Sequence, residues 1–144
     1  MQYFTSNFRL GILGGGQLGK MLLYETRKWD VYTKVLDQAA DAPCRMSCNE
    51  FVQGDLLDYA TVVSFGQGLD VLTIEIENVN VEALKTLKQQ GVKVFPEPEA
   101  LEIIRNKSLQ KTFYLNHGIP TSPFKTYESK EALLKDALHF PCVW

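Results

Sequence analysis

Residues 8–22, FRLGILGGGQLGKML, pass from a short apolar run through three consecutive glycines into Leu18, Met21 and Leu22 at helical spacing. A bounded apolar run marks a strand, and apolar residues recurring every three to four positions mark a helix. The stretch therefore reads as strand, tight turn, helix. Gly14, Gly16 and Gly19 satisfy G-x-G-x-x-G in that context. Such glycines let the backbone turn sharply and approach a ligand, while the helix start offers unpaired N–H groups and a positive dipole to an anion. The same glycines would also serve close strand–helix packing alone, and the motif by itself names no ligand.

Outward from this turn, strand and helix signals alternate. Val31 to Asp37 is β-branched and apolar, and Glu50 to Gln53 is a weaker, shorter strand. A helix is predicted over Leu56 to Phe65, closed by Gly66 or Gly68. Asp70 to Glu77, DVLTIEIE, is the strongest strand signal; a helix follows from Val81 to Gln90 with a stop at Gly91, then a strand from Val92 to Phe95 cut off by Pro96 and Pro98. This alternation predicts an α/β fold, a Rossmann-like open, mainly parallel sheet with helices on both faces. Beyond Pro98 the character changes. A helical region broken near Asn106 runs to His117, a strand is predicted at Phe124 to Tyr127, and a helix at Ser129 to Leu138 has Ser129 as its cap. The boundary places one domain over 1–104 and the start of another over 105–144. The last residues, FPCVW, read as a buried strand, so the chain is expected to be part of a longer protein.

Composition narrows the function. The 144 residues carry 15 Lys and Arg against 17 Asp and Glu, a net charge of -2, with no basic stretch of the kind that binds nucleic acid or a membrane surface. No apolar run approaches a membrane span, and the amino terminus lacks the basic start and long apolar middle of a secretory signal. The expected compartment is the cytoplasm. Cys44, Cys48 and Cys142 are odd in number, which argues against a disulfide framework; Cys44 and Cys48 read as small hydrophobes rather than metal ligands.

Three groups of residues can carry chemistry. Asp37, at the end of the second strand and about twenty residues past the first glycine, stands near where a ribose-binding acid would in a dinucleotide site. That keeps a nicotinamide-dependent oxidoreductase as an alternative, alongside a non-catalytic nucleotide-binding module. Glu75-Ile76-Glu77-Asn78 ends the strongest strand, at the edge where open parallel sheets bind ligands, and strand alternation puts Glu75 and Glu77 on one face. Two carboxylates suit a substrate bearing amines or hydroxyls better than they suit a pyrophosphate, although such acids also cap helices or stand in solvent. Lys107 and Lys111 share a helix face. His117 and His139 have no acid or serine at a telling spacing and are read as structural.

Taken together, GILGGGQLGKML, LTIEIENV, IIRNKSLQK and GIPTSPF occur in the order seen in the 5-(carboxyamino)imidazole ribonucleotide synthases of the ATP-grasp superfamily, which the chain resembles from Leu10 to Trp144. The resemblance implies a pre-ATP-grasp domain followed by the beginning of an ATP-grasp domain. It implies ATP-dependent carboxylation of aminoimidazole ribonucleotide by bicarbonate in purine biosynthesis, with Mg2+ ligands lying beyond this chain, and it leaves room for a homodimer of the full-length protein. Residue by residue, it assigns Gly16, Gln17, Leu18, Glu75 and Glu77 to the ribonucleotide and Lys107 to ATP, with no catalytic residue here. The phosphate loop that follows in the family is absent, so this chain alone is expected not to catalyse. Asp37-Gln38 departs from the Asp-Pro of many relatives.

Overall fold

The computed structural model describes residues 5–136. Its elements run β1 (Arg9–Leu13), α1 (Gln17–Arg27), β2 (Tyr32–Asp37), β3 (Glu50–Gln53), α2 (Tyr59–Gly66), β4 (Val71–Ile74), α3 (Val81–Gln89), β5 (Lys93–Phe95), α4 (Pro98–Arg105), α5 (Lys107–Asn116) and α6 (Lys130–Leu134). The five strands form one sheet in the order β3-β2-β1-β4-β5, and every adjacent pair is parallel. The chain first builds outward from β1 through β2 and β3, then crosses to the other side of β1 with β4 and β5. That reversal puts a topological switch point between β1 and β4, where the loops leaving their carboxyl ends diverge and open a crevice.

Neighbouring positions along a strand face opposite sides, and the core follows that rule. Leu13 and Leu36 join Leu72, Val94 and the buried faces of α2, α3 and α4, including Val62, Phe65, Leu84, Leu87 and Leu101. Ile12 and Val35, one residue away, point to the other side and pack with Leu23 of α1 and Cys44. The sheet is thus covered on both faces, more thickly on the first. The chain divides after Arg105 into two compact units. In the second, Asn106 caps α5 by accepting from Ser108 and Leu109 amides at 3.0 and 3.2 Å. Among the described residues no helix is long and apolar enough to cross a membrane.

Several boundaries differ from the sequence expectation for identifiable reasons. β4 stops at Ile74 rather than reaching Glu77. Its partner β1 turns away at Gly14 with φ +98°, so after one last bond from the Glu75 amide to the Leu13 carbonyl at 2.8 Å there is no ladder to continue. The alternation that placed Glu75 and Glu77 on one face therefore does not extend past Ile74. The second helix begins at Tyr59, not Leu56, because the Asp58 carboxylate accepts from the Thr61 amide at 2.7 Å and caps it there. Phe124 to Tyr127 forms no strand, since no ladder partner stands beside it among the described residues. Ser129 does cap a helix, through the Ala132 amide at 3.1 Å, with α6 assigned over Lys130–Leu134; residues 137–144, including the end of that expected helix and FPCVW, lie outside the described residues.

The helical spacing of Leu18, Met21 and Leu22 marks α1 but not its buried side. Leu18 is 66% and Met21 57% exposed, while Gly19 and Leu23 face the sheet. Burial therefore separates two chemically identical substitutions in one helix. Leu23→Ala should destabilise the chain by about 2–5 kcal/mol, and Leu18→Ala should stay within about 0.5 kcal/mol, as read by urea denaturation.

Candidate functional site

The turn after β1 is held by backbone bonds and one carboxylate. The Gly14 amide donates to the Leu36 carbonyl at 2.9 Å, and the Cys44 amide donates to the Gly15 carbonyl at 3.0 Å. Asp37, the last residue of β2, accepts from the Gly15 amide through Oδ2 at 2.6 Å and from the Ala39 amide through Oδ1 at 2.8 Å. Both oxygens of this carboxylate serve the turn. Asp37 thus ties the loops after β1 and β2 together instead of standing ready for a ribose. A side chain at Gly15 would put its Cβ 3.0 Å from the Asp37 Cβ, a tight approach that would press on the tie.

Glu75 approaches the same turn from β4. A Cβ built on Gly14 would lie 2.8 Å from Glu75 Oε2, and one on Gly16 would lie 3.1 Å from Oε1. Gly14 has no alternative, because its positive φ also excludes most side chains. Gly19 is packed differently, with its Cβ position 3.1 Å from both Cys44 Sγ and the Gly14 carbonyl oxygen. The motif glycines therefore divide their work. Gly14 and Gly16 make room for a carboxylate, and Gly19 lets α1 settle on the turn.

Above these glycines α1 starts without a side-chain cap, Gly16 being its N-cap, whereas Asp58, Asn80, Asn106 and Ser129 cap α2, α3, α5 and α6. Gln17 and Leu18, its first two residues, are exposed. A recess of about 240 Å³ beside them is lined by Leu18, Gly19, Leu22, Ile74 and Glu75. It combines apolar walls with one carboxylate, a setting for a flat ring carrying a hydrogen-bond donor. Glu77 stands exposed two residues further on, where its carbonyl accepts from the Val79 amide at 3.0 Å.

Cys44 is fully buried beneath the turn, its thiol 3.5 Å from the Gly16 carbonyl oxygen, to which it donates. Burial first, then the neighbouring Cys48, Glu75 and Asp37, push this thiol up to about 11. Sequence composition marked it only as a small hydrophobe; its hydrogen bond to the turn becomes visible once β2 and α1 are placed. A carboxylate at Gly14 and Gly16 also crowds the position a dinucleotide's pyrophosphate would take, with like charge.

In the second unit, Lys107 is the first residue of α5 and is exposed, with Nζ 3.2 Å from Gln110 Oε1. Lys111, on the same face, is committed within the unit: its Nζ donates to Thr121 Oγ1 at 2.5 Å and Ser122 Oγ at 3.1 Å. An open hollow of about 530 Å³ runs along Leu115 and residues 121–126. His117 stacks on Phe113 with centroids 4.0 Å apart and bonds its carbonyl, a structural arrangement. Among the described residues no group of three or more His, Cys, Asp or Glu is placed to hold a metal ion.

Comparison with known proteins agrees with this fold. The model of the ribonucleotide synthetase preATP-grasp domain matches residues 8–105. The phosphoribosylaminoimidazole carboxylase of Ogataea methanolica is 34% identical over 130 residues, which cover 88% of this chain and 24% of that one. The crystal structure of N5-carboxyaminoimidazole ribonucleotide synthetase from Thermotoga maritima matches with a TM-score of 0.80 at 35% identity, over 88% of this chain and 35% of that one. N5-carboxyaminoimidazole synthase from Aspergillus clavatus, solved in complex with ADP and 5-aminoimidazole ribonucleotide, matches with a TM-score of 0.73 at 33% identity, over 81% of this chain and 31% of that one. The chain spans about a quarter to a third of the length of these relatives.

Two outcomes follow from the turn. Asp37→Ala strands the Gly15 and Ala39 amides and should cost about 1–3 kcal/mol in denaturant unfolding, well beyond an ordinary surface substitution. The Cys44 thiol ionises near its ordinary 9.0 in the unfolded chain but near 11 when folded. Between those values the native state keeps a proton that the unfolded state has lost, so stability falls as pH rises through that window. Cys44→Ala should flatten this part of the stability profile, measured by urea denaturation at a series of pH values.

Proposed function

The chain belongs to the ribonucleotide synthetase preATP-grasp family, and from that premise we propose that it forms the ribonucleotide-facing wall of an ATP-dependent carbon–nitrogen ligase. The reaction converts 5-aminoimidazole ribonucleotide, bicarbonate and ATP to 5-(carboxyamino)imidazole ribonucleotide, ADP and phosphate, in the cytoplasm, as a step of purine biosynthesis. ATP phosphorylates bicarbonate, and the exocyclic amine of the ribonucleotide takes up the activated carboxyl group. The observation that carries this reading is the Glu75 carboxylate seated against Gly14 and Gly16 at the edge of a recess walled by Leu18, Leu22 and Ile74. A carboxylate accepts from an aromatic amine or a ribose hydroxyl, and the apolar walls favour a flat heterocycle.

The remaining assignments follow from chemistry and position. The uncapped start of α1, with Gly16, Gln17 and Leu18, presents backbone N–H groups, and Gln17 adds a donor and an acceptor of its own. Glu77 supplies a second acceptor further along the same turn. Lys107 offers a point charge to a phosphate of ATP. Magnesium, which phosphoryl transfer from ATP uses, has no donor set among the described residues, so none of this chain's residues is assigned to it. The complete protein is proposed to act on the ribonucleotide with bicarbonate as co-substrate, and a homodimer is its proposed assembly.

The reading is tested by installing this chain in place of the matching amino-terminal segment of the Thermotoga maritima synthetase and measuring ADP release. Release that requires both bicarbonate and 5-aminoimidazole ribonucleotide is expected; release indifferent to the ribonucleotide overturns the reading. In that protein Glu75→Gln should lower kcat/KM for the ribonucleotide by tens of fold, the equivalent of losing a bond to a charged acceptor worth about 1.5–3 kcal/mol, with ATP use little changed. Lys107→Ala should show the opposite preference.

A further inference from the structure

The turn that carries Glu75 and Glu77 is anchored at both ends but has little to hold its middle. Its entry is the bond from the Glu75 amide to the Leu13 carbonyl. Its exit is Asn80, whose amide donates to the Leu56 carbonyl at 2.9 Å, whose Oδ1 caps α3 and whose Nδ2 donates to the Leu57 carbonyl at 2.8 Å. Between them Ile76, Glu77 and Asn78 are all exposed. Arg105 reaches into this gap from the last position of α4. Its Nη1 donates to the Val79 carbonyl at 3.0 Å, and its Nη2 lies 3.4 Å from Asn78 Oδ1.

We infer that Arg105 is a positioning residue for the ribonucleotide wall, holding the 75–79 turn so that the Glu75 and Glu77 carboxylates keep their places at the crevice. A guanidinium is a rigid planar fork whose donors can meet two acceptors at once, which a flexible ammonium does less well. The platform it stands on is fixed. Leu101 of α4 is buried, and Glu102 is tied to Lys85 of α3 at 2.6 Å. Support of this kind, from a residue outside the site, decides whether a binding group is held to the fraction of an ångström that recognition needs. The competing account is that Arg105 only complements the carboxyl end of the α4 dipole, which requires no fork and no contact with Asn78.

This inference rests on the ribonucleotide reading above, and the test separates the two. The 144-residue chain and its variants Arg105→Ala, Arg105→Lys and Asn78→Ala are compared by thermal unfolding, by hydrogen exchange of amides 76–79, and by NMR titration with 5-aminoimidazole ribonucleotide into the millimolar range. Arg105→Ala is expected to weaken ribonucleotide binding about tenfold and to speed exchange in the turn, with Arg105→Lys recovering part of the loss. Asn78→Ala should weaken binding less, and the double variant should lose less than the two single effects added together, because the residues act as a pair. An arginine that serves only the helix dipole would lower the unfolding temperature and leave affinity and turn exchange unchanged, so wild-type affinity in Arg105→Ala overturns the inference. No saturable shift in the wild-type chain overturns instead the reading on which it rests. If Arg105→Ala does not fold, Asn78→Ala decides, and wild-type affinity and exchange there overturn the inference.

Discussion

A side chain at Gly14 would need a positive φ that side chains rarely adopt and would meet the Glu75 carboxylate at 2.8 Å, and in this chain the carboxylate takes that space. Much of the crevice edge is arranged around that exclusion. Because Gly14 turns with a positive φ, β1 ends at Leu13; because β1 ends, β4 loses its partner after Ile74 and its chain swings into the 75–79 turn. Asp37 then closes the remaining side by taking the Gly15 and Ala39 amides. One steric condition at the centre of the sheet thereby sets where two strands stop, what their loops face and which groups remain exposed to a ligand.

The unequal covering of the sheet has a place in this arrangement. The face with α2, α3 and α4 carries the larger apolar cluster, and the face with α1 and Cys44 carries a small one. Apolar burial scales with area, so the first face contributes most of the stabilising free energy. The crevice is built over the second face. Its geometry can be specified by polar contacts such as the Asp37 bonds and by a buried thiol without the fold depending on them for its existence.

The fold was legible because β-strand and helix periodicities survive in short segments: Ile12 against Leu13 and Val35 against Leu36 alternate between faces, and Val81, Leu84 and Leu87 return every three or four residues to one side. Less legible was anything that depends on what lies opposite. Leu18, Met21 and Leu22 satisfy a helical period as well as a core face would, and only the placement of α1 on Gly19 and Leu23 shows that they are turned outward. Asp37 sat where a ribose acid would, yet a carboxylate's partners are set by the loops that fold onto it. Glu75 could be singled out from its strand-end position and from the family resemblance, but its contact with Gly14 could not, since no local pattern records which strands become neighbours. Arg105 carried no signal at all: an arginine ending a helix is commonplace, and its tie to Asn78 and Val79 depends on α4 packing beside α3.

The strand order also dictates when in folding the crevice can exist. β1 pairs with β2 across a single helix, but its pairing with β4 joins residues such as Leu10 and Val71 that are 61 positions apart. Closing a loop of that length costs entropy before its contacts return any, so this pairing forms late relative to local structure. A chain emerging from synthesis would already contain the glycine turn and the Asp37 tie while still lacking Glu75. The seating of Glu75 against the glycine turn therefore arrives together with the β1–β4 pairing, and a chain still lacking that pairing presents a turn with nothing opposite it.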